Sequence, residues 1–176
     1  MDFIRRTGAD KSSQIIDVGG GASTLVDTLL EEGFGHLTVL DIAGSALRIA
    51  RQRLGELASQ VVWIEADITK AELPREGYDI WHDRAVFHFL TESDERRLYV
   101  HAVQHAVKPG GHVIVATFAL DGPAKCSGLD VVRYSPDSLL SEFGAEFHLA
   151  SSAQEAHITP MGSEQRFLYC CLRKVQ

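Results

Sequence analysis

The sequence predicts an α/β protein with a mostly parallel, doubly wound sheet and helices on both faces. Three observations carry this reading. Short β-branched segments alternate with segments of helical period between residues 14 and 119. Turn residues punctuate the junctions, most clearly Gly19-Gly20-Gly21, Gly33 and Lys108-Pro109-Gly110-Gly111. The last two strand-like segments have no helical segment between them, which marks an antiparallel closing pair. Alternating units of this kind wind right-handed around a parallel sheet.

The elements follow in order. Gln14 to Val18 reads as a short buried strand. A helix begins near Ala22, with Leu25, Val26, Leu29 and Leu30 as its apolar stripe, and Gly33 ends it. His36 to Asp41 is strand two, and Ser45 to Leu54 is a helix carrying Ala46, Leu47, Ile49, Ala50 and Leu54. Val61 to Glu65 and Tyr78 to His82 are strands three and four. Thr91 and Asp94 suggest a capping-box start to a long helix through Val107. His112 to Ala119 is strand five. Ser135 then serves as N-cap and Pro136 as first residue of a short helix that Gly144 ends. Strands near Glu146–Ser152 and Arg166–Arg173 complete seven.

The chain is expected to be a single domain over residues 1–176 with a short N-terminal segment. A length of 176 residues suits one domain, and 45% apolar with 23% charged residues suits a globular core. With 24 acidic against 17 basic residues the net charge is −7, which gives no electrostatic hold on nucleic acid or anionic lipid. The longest apolar stretch, Val113 to Leu120, is far below the ~20 residues of a membrane span, and the first residues lack a secretory signal pattern. Cys126, Cys170 and Cys171 make no disulfide framework, so a reducing, cytoplasmic setting is expected.

Open sheets of this type bind ligands at the C-terminal ends of their strands. The informative stretch there is Asp17-Val18-Gly19-Gly20-Gly21-Ala22-Ser23. Glycine lets the backbone bend sharply and approach a ligand. Twenty residues after Gly21, strand two ends in Asp41, where a carboxylate can accept ribose hydroxyls. Turn and acid together predict an adenosine-containing cofactor. A dinucleotide fingerprint would place glycine where Thr24 stands. Asp17 also opposes an anionic pyrophosphate and suits a cationic group such as the amino group of methionine.

The run IIDVGGGASTLVDTLL, followed by LTVLDIAGSAL, WIEADI, YDIWHDRAVFHFL and VKPGGHVIVATF, resembles a class I S-adenosylmethionine-dependent methyltransferase over residues 14–119. The resemblance implies a Rossmann-like seven-stranded sheet whose last strand is antiparallel. It implies S-adenosyl-L-methionine as cofactor and S-adenosyl-L-homocysteine as product. Asp17, Gly19, Gly20 and Gly21 match the first motif, around the methionine part. Ser23 stands where the commonest motif has a third glycine, and can still donate to the ligand. Asp41 matches the ribose-binding acid, Asp67 the residue receiving the adenine amino group, and Ile42 and Ile68 the flanks of the ring. Asp83 lies where the family faces the methyl group and substrate. Thirteen residues precede strand one, where members often carry a longer helix closing over the cofactor. The lid is therefore expected to be short, or to lie outside this sequence.

On the acceptor side, His82, Asp83, Arg84 and His88 crowd the rim that follows strand four. His82 and His88 are candidate bases beside Asp83, and Arg84 a candidate for an anionic substrate group. His82, Asp83 and His88 fit no standard zinc spacing, so no metal is expected. Cys126, Arg133 and Tyr134 are further substrate candidates, and residues 157–163 form the last hairpin loop, a candidate lid. The Asp83-Arg84-Ala85 step after strand four, together with the two-strand tail and the aromatic and Gly/Ser loop before the last strand, loosely resembles the thiopurine S-methyltransferase group, which acts on small thiols and related soft nucleophiles. A small-molecule acceptor, with a thiol favoured, is therefore expected. Protein lysine methyltransferases of the same fold share a similar Asp-Lys/Arg-Gly step and stay open, as does a non-catalytic cofactor-binding module. An NAD(P) oxidoreductase is disfavoured by Asp17 and Thr24.

Overall fold

A computed structural model describes residues 1–158 and 164–175. Helix α1 (Asp2–Arg6) leads into β1 (Ile15–Val18), α2 (Leu25–Glu31), β2 (Leu37–Asp41), α3 (Gly44–Leu54), β3 (Val61–Glu65) and β4 (Tyr78–Arg84). Helix α4 (Ser93–Ala106) and β5 (Val107–Phe118) follow, then a two-stranded ribbon of β6 (Lys125–Cys126) and β7 (Leu129–Asp130). Helix α5 (Pro136–Phe143), β8 (Phe147–Ile158) and β9 (Glu164–Lys174) complete the chain. The main sheet has seven strands in the order β3-β2-β1-β4-β5-β9-β8.

Strand order reverses between β1 and β4, both of which run parallel to their neighbours. Both strand ends and both connecting turns open there, so a cleft forms at the C-terminal edge. The antiparallel strand is β9, which inserts between β5 and β8 rather than closing an edge. The hairpin of β8 and β9 is long: the two strands pair over Phe147 to Ile158, well beyond the expected end at Ser152.

Alternation along β1 and β4 splits the core into two layers. Ile15 and Ile80 face α2 and α3, in one cluster with Val26, Leu29, Leu37 and Leu47. Ile16 and Trp81 face α4 and α5, with Tyr99, Val103, Leu139 and Phe143. Cys170 and Cys171 divide between the same two layers, as expected for adjacent strand residues, and burial pushes their thiols up to about 12 and about 11.

Several boundaries differ from expectation. Helix α2 starts at Leu25 instead of Ala22, because Ser23 N–H bonds to Gly20 O at 2.7 Å and extends the glycine turn. Helix α4 starts after Glu92 with no side-chain cap, so Thr91 and Asp94 form no capping box. The Arg96 guanidinium instead reaches back to the Leu90 and Thr91 carbonyls, at 3.0 and 2.8 Å. At α5 the expected cap is present: Ser135 and Ser138 bond reciprocally, with Pro136 in the first turn. The five-residue α1 was too short to read from periodicity; its Ile4 is fully buried beside Val26 and Leu29.

Candidate active site

The glycine turn is held from two sides. Gly19 N–H bonds to Leu40 O of β2 at 2.7 Å, which draws the turn against the neighbouring strand. Arg53 on α3 donates to Ala22 O at 3.0 Å and Ser23 O at 2.6 Å, and pairs with Asp27 of α2 at 2.6 Å. That bonding holds the Asp27 carboxyl below the usual carboxylate range. Sequence reasoning missed Arg53. A side chain that reaches back across thirty positions leaves no local signal.

Gly19 and Gly21 combine a left-handed backbone with no room for a side chain. Gly19 has φ +70, and a Cβ there would lie 2.0 Å from Val86 Cγ2. Gly21 has φ +41, and its Cβ would lie 2.7 Å from Asp41 Oδ2. Both demands, left-handed backbone and close approach, select glycine. Asp41 Oδ1 accepts the Ala43 N–H at 2.7 Å, which fixes the carboxylate, and among the described residues Oδ2 accepts no hydrogen bond. A free acceptor beside a bare backbone bend is what a nucleoside ribose needs.

Beyond Asp41 the cleft widens to about 430 Å³, bordered by Gly19, Asp41, Ile42, Asp67, Ile68 and Val86 among others. Ile42 is 70% exposed at one wall while Ile68 is buried at the other, a slot of apolar surface open to a flat ring. Asp67 borders it, but its Oδ1 accepts Thr69 N–H at 2.9 Å and Thr69 Oγ1–H at 2.7 Å, and Lys70 lies 3.1 Å from Oδ2. These bonds hold its carboxyl below the ordinary value. Asp67 is thus both a turn-former and a cleft residue.

On the other side of Gly19 lies a recess of about 340 Å³ bordered by Asp17, Gly20, Ser23, His82 and Arg84. It shares Gly19 and Arg84 with the first cleft. Asp17 and His82 are register partners on β1 and β4, so their side chains lie on the same face. Asp17 Oδ1 is 2.7 Å from His82 Nδ1, and both groups are nearly buried. Ser23 Oγ accepts the Leu25 N–H at 3.1 Å at the start of α2. A third recess, about 250 Å³, continues past His82 and Arg84 to Thr28, Tyr169 and Met1.

The remaining acceptor-side candidates are placed elsewhere. Strand β4 continues through Arg84, so Asp83 is a strand residue whose side chain alternates away from His82 and Arg84. It is fully buried, accepts Val86 and Phe87 N–H at 2.7 and 3.0 Å, and accepts Tyr99 O–H at 2.6 Å. Burial raises its carboxyl to about 6 against the effect of those bonds. Asp83 therefore builds the turn behind the cleft instead of facing a substrate. His88 is fully buried as well, its ring against Phe89 and Phe118, and Nδ1 accepts the Phe118 N–H at 3.4 Å. Burial pushes it down to about 4, so it is a neutral core ring and no base. Tyr134 is buried against Phe87 at 5.6 Å and has no access to a ligand. Arg133 donates to Gly122 O at 3.2 Å and braces the loop after β5. Cys126 packs on the Ala116, Phe118 and Phe167 cluster, and Lys125 beside it is paired with Asp130 at 3.0 Å. Of the candidate lid, His157 and Ile158 end β8, while residues 159–163 lie outside the described residues.

A reversed-order sheet with a nucleoside-shaped cleft at its switch point defines a class I S-adenosylmethionine-dependent methyltransferase fold. A family model described as a methyltransferase domain matches residues 15–111, and the chain belongs to that family. A ubiquinone biosynthesis O-methyltransferase of Serratia proteamaculans is 26% identical over 156 residues, covering 88% of this chain and 58% of the relative. An uncharacterized methyltransferase of Mycobacterium bovis is 32% identical over 104 residues, covering 59% of this chain and 50% of the relative. The chain thus spans about half the length of the curated relatives it matches. Among solved structures, an S-adenosylmethionine-dependent methyltransferase of Methanosarcina mazei shares the fold with TM-score 0.79 at 14% identity, covering 98% of this chain and 97% of that one. An N-methyltransferase of Bradyrhizobium japonicum in complex with S-adenosyl-L-homocysteine does so with TM-score 0.72 at 17% identity, covering 99% and 85%.

Proposed function

We propose that this chain, acting as one domain, transfers a methyl group from S-adenosyl-L-methionine to a small-molecule nucleophile. The observation that carries this reading is the continuous cleft: the adenosine-sized part and the Asp17–His82–Arg84 recess meet at Gly19, where a Cβ has no room. When bound, the cofactor supplies an electrophilic methyl group on a sulfonium. The chain's residues bind and orient. Asp41 Oδ2 accepts ribose hydroxyls, Ile42 and Ile68 cover the adenine faces, and Asp67 borders the adenine edge. Gly19, Gly20, Gly21 and Ser23 bring backbone close to the methionine part. The acceptor enters over His82 and Arg84 from the Tyr169 side. In-line transfer then depends mainly on positioning and exclusion of water.

The acceptor class rests on the volume of the recesses, each near that of a small molecule. A thiol, favoured by the sequence, remains within this class. The relatives named for O-methyl transfer extend it to hydroxyl acceptors.

Calorimetry tests the reading. The chain is expected to bind S-adenosyl-L-homocysteine and not NAD. Asp41→Ala is expected to weaken that binding by roughly 1.5–3 kcal/mol, the range for charge-assisted hydrogen bonds. Binding of NAD in place of the nucleoside thioether, or unchanged affinity in the variant, would remove the proposed cofactor site.

A further inference from the structure

The main sheet ends on one side at β3, a strand of five residues, and on the other at β8, a strand of twelve. A short edge offers little to pair with, whereas a long one presents a row of unpaired N–H and C=O groups. Glu146 O accepts the Val175 N–H beside β9 at 2.8 Å. Alternation from that bond, through the register shift at Ala150, turns the backbone groups of Ser152, Gln154 and Ala156 away from β9. Among the described residues these groups have no backbone partner, and Ser152 to Ala156 are all exposed. Strand β8 also contains no lysine, arginine or proline, the residues that keep an edge from pairing.

We infer that β8 pairs antiparallel with β8 of a second copy of this chain, about a two-fold axis at Ser152, joining two seven-stranded sheets into one. No β8 residue borders the adenosine-sized cleft or the two recesses, so the pairing stands independently of the methyltransferase reading.

Charge complementarity sets the register. His148, Ala153, Glu155 and His157 pair with Arg173, Tyr169, Phe167 and Gln165 of β9, and so share one face of the sheet. With Ser152 opposite itself, and the extra residue Ala150 taken up by the shift, His148 faces Glu155 of the second copy. Glu146 likewise faces His157 of the second copy. Each pair sets an imidazole N–H against a carboxylate, and the symmetry makes each pair twice. Cross-strand pairs of opposite character stabilise strand pairing, and like charges oppose it. An axis at Ser151 would instead set Glu146 against Glu155, and an axis at Ala153 would set His148 against His157.

The basic side of this contact lacks a carboxylate in its own chain. His112 of β5, Arg173 of β9 and His148 of β8 are register partners in one row across the sheet. Among the described residues none of the three makes a salt bridge, although the chain is net acidic. Burial, and then Arg173 and His148, push the His112 ring below its usual value. The row ends on the free edge of β8, where Glu155 of the second copy brings its carboxylate. Within its own chain Glu155 lies by the Tyr169 hydroxyl and pairs with no cation among the described residues.

Sedimentation equilibrium from low-micromolar to near-millimolar concentration tests the pairing. The chain is expected to approach twice its own mass of 19.3 kDa, and amide exchange at Ser152 and Gln154 is expected to slow as concentration rises. Ser152→Pro removes an outward N–H at the axis and no bond to β9, so the variant should stay folded and monomeric. Glu155→Lys should weaken association about tenfold or more, and adding His148→Glu to it should restore association. A monomer at every concentration overturns the inference, including the case in which β8 takes a strand from a different protein. So does a dimer that Ser152→Pro or Glu155→Lys leaves unchanged, because its interface then lies elsewhere, and so does failure of the double exchange to restore association. If a variant does not fold, amide exchange of the wild type decides: equal rates at Ser152 and Gln154 at both ends of the concentration range overturn the pairing.

Discussion

Ala85 shows how a single residue can carry strain into the site. It follows Arg84 with φ +71, a left-handed conformation that costs an L-residue about 1–2 kcal/mol. Its N–H bonds to Ala116 O at 2.9 Å, and Val86 and Phe87 N–H are both tied to Asp83, so the turn is over-determined from two sides. That turn sets Val86 against Gly19 and points Arg84 into the cleft. Ala85→Gly is therefore expected to raise stability by about 0.5–1 kcal/mol, a Tm increase of roughly 1–4 °C. Thermal denaturation of the variant checks this; an unchanged or lower Tm would mean that the side chain contributes packing worth more than the strain. Sequence alone named Asp83, Arg84 and Ala85 as a step after strand four. It turned Asp83 toward the methyl group, whereas β4 runs on to Arg84 and the pleat buries Asp83, because which residue faces the cleft depends on where the strand ends.

At the element scale, the turn between β1 and α2 is only as rigid as its braces. Helix α2 is a seven-residue helix without a side-chain cap, and Thr24 N-caps it through backbone geometry alone. Arg53, from a different helix, supplies four bonds to this region. Arg53→Ala removes them without touching the cleft. It is expected to cost about 1–2 kcal/mol of stability and to weaken S-adenosyl-L-homocysteine binding several-fold, since the turn must then be ordered by the ligand. Calorimetry and denaturant unfolding on one sample separate the two effects; full retention of affinity would show that the glycine turn holds its shape unaided. The corresponding brace behind β4 is a buried chain. Trp81 Nε1–H donates to Tyr99 at 2.9 Å, and Tyr99 donates to Asp83 at 2.6 Å. It joins α4 to the strand that carries His82 and Arg84. Neither brace has a sequence signature, because the partners are brought together by helix packing and not by spacing.

Over the whole molecule, two buried titrating groups pull stability in opposite directions. Asp83 is raised from 3.8 to about 6, so the native state holds a proton there that the unfolded chain has released. Its contribution grows as pH falls through 6 and levels off below about 4. His88 is lowered from 6.5 to about 4, so its contribution is full above 6.5 and is lost as pH falls toward 4. Each amounts to about 3 kcal/mol over its window. His88→Gln should lose only the second. The stability gap between wild type and variant is then expected to narrow by about 3 kcal/mol between pH 7 and pH 4, measured by urea unfolding at each pH. A gap independent of pH would place the His88 proton elsewhere. Neither group contacts the cleft, so this dependence is one of stability and not of chemistry.

The sequence by itself determined the alternation of elements and the glycine turn with Asp41 at the end of the next strand, through periodicity, turn chemistry and a fixed offset from one strand end to the next. The seven-stranded order and the roles of Ile42 and Ile68 came only as what the family resemblance implies. The tertiary structure alone decided the acceptor side. Asp83, His88 and Tyr134 share the sequence neighbourhood of His82 and Arg84 or border the same loops, yet the pleat and the packing of α4 and α5 draw them into the core. Asp17 and His82, 65 positions apart, meet only because β1 and β4 are neighbours in register. A side chain's environment is set by which strands lie beside it and which face it takes, and neither is encoded within reach of its own residues.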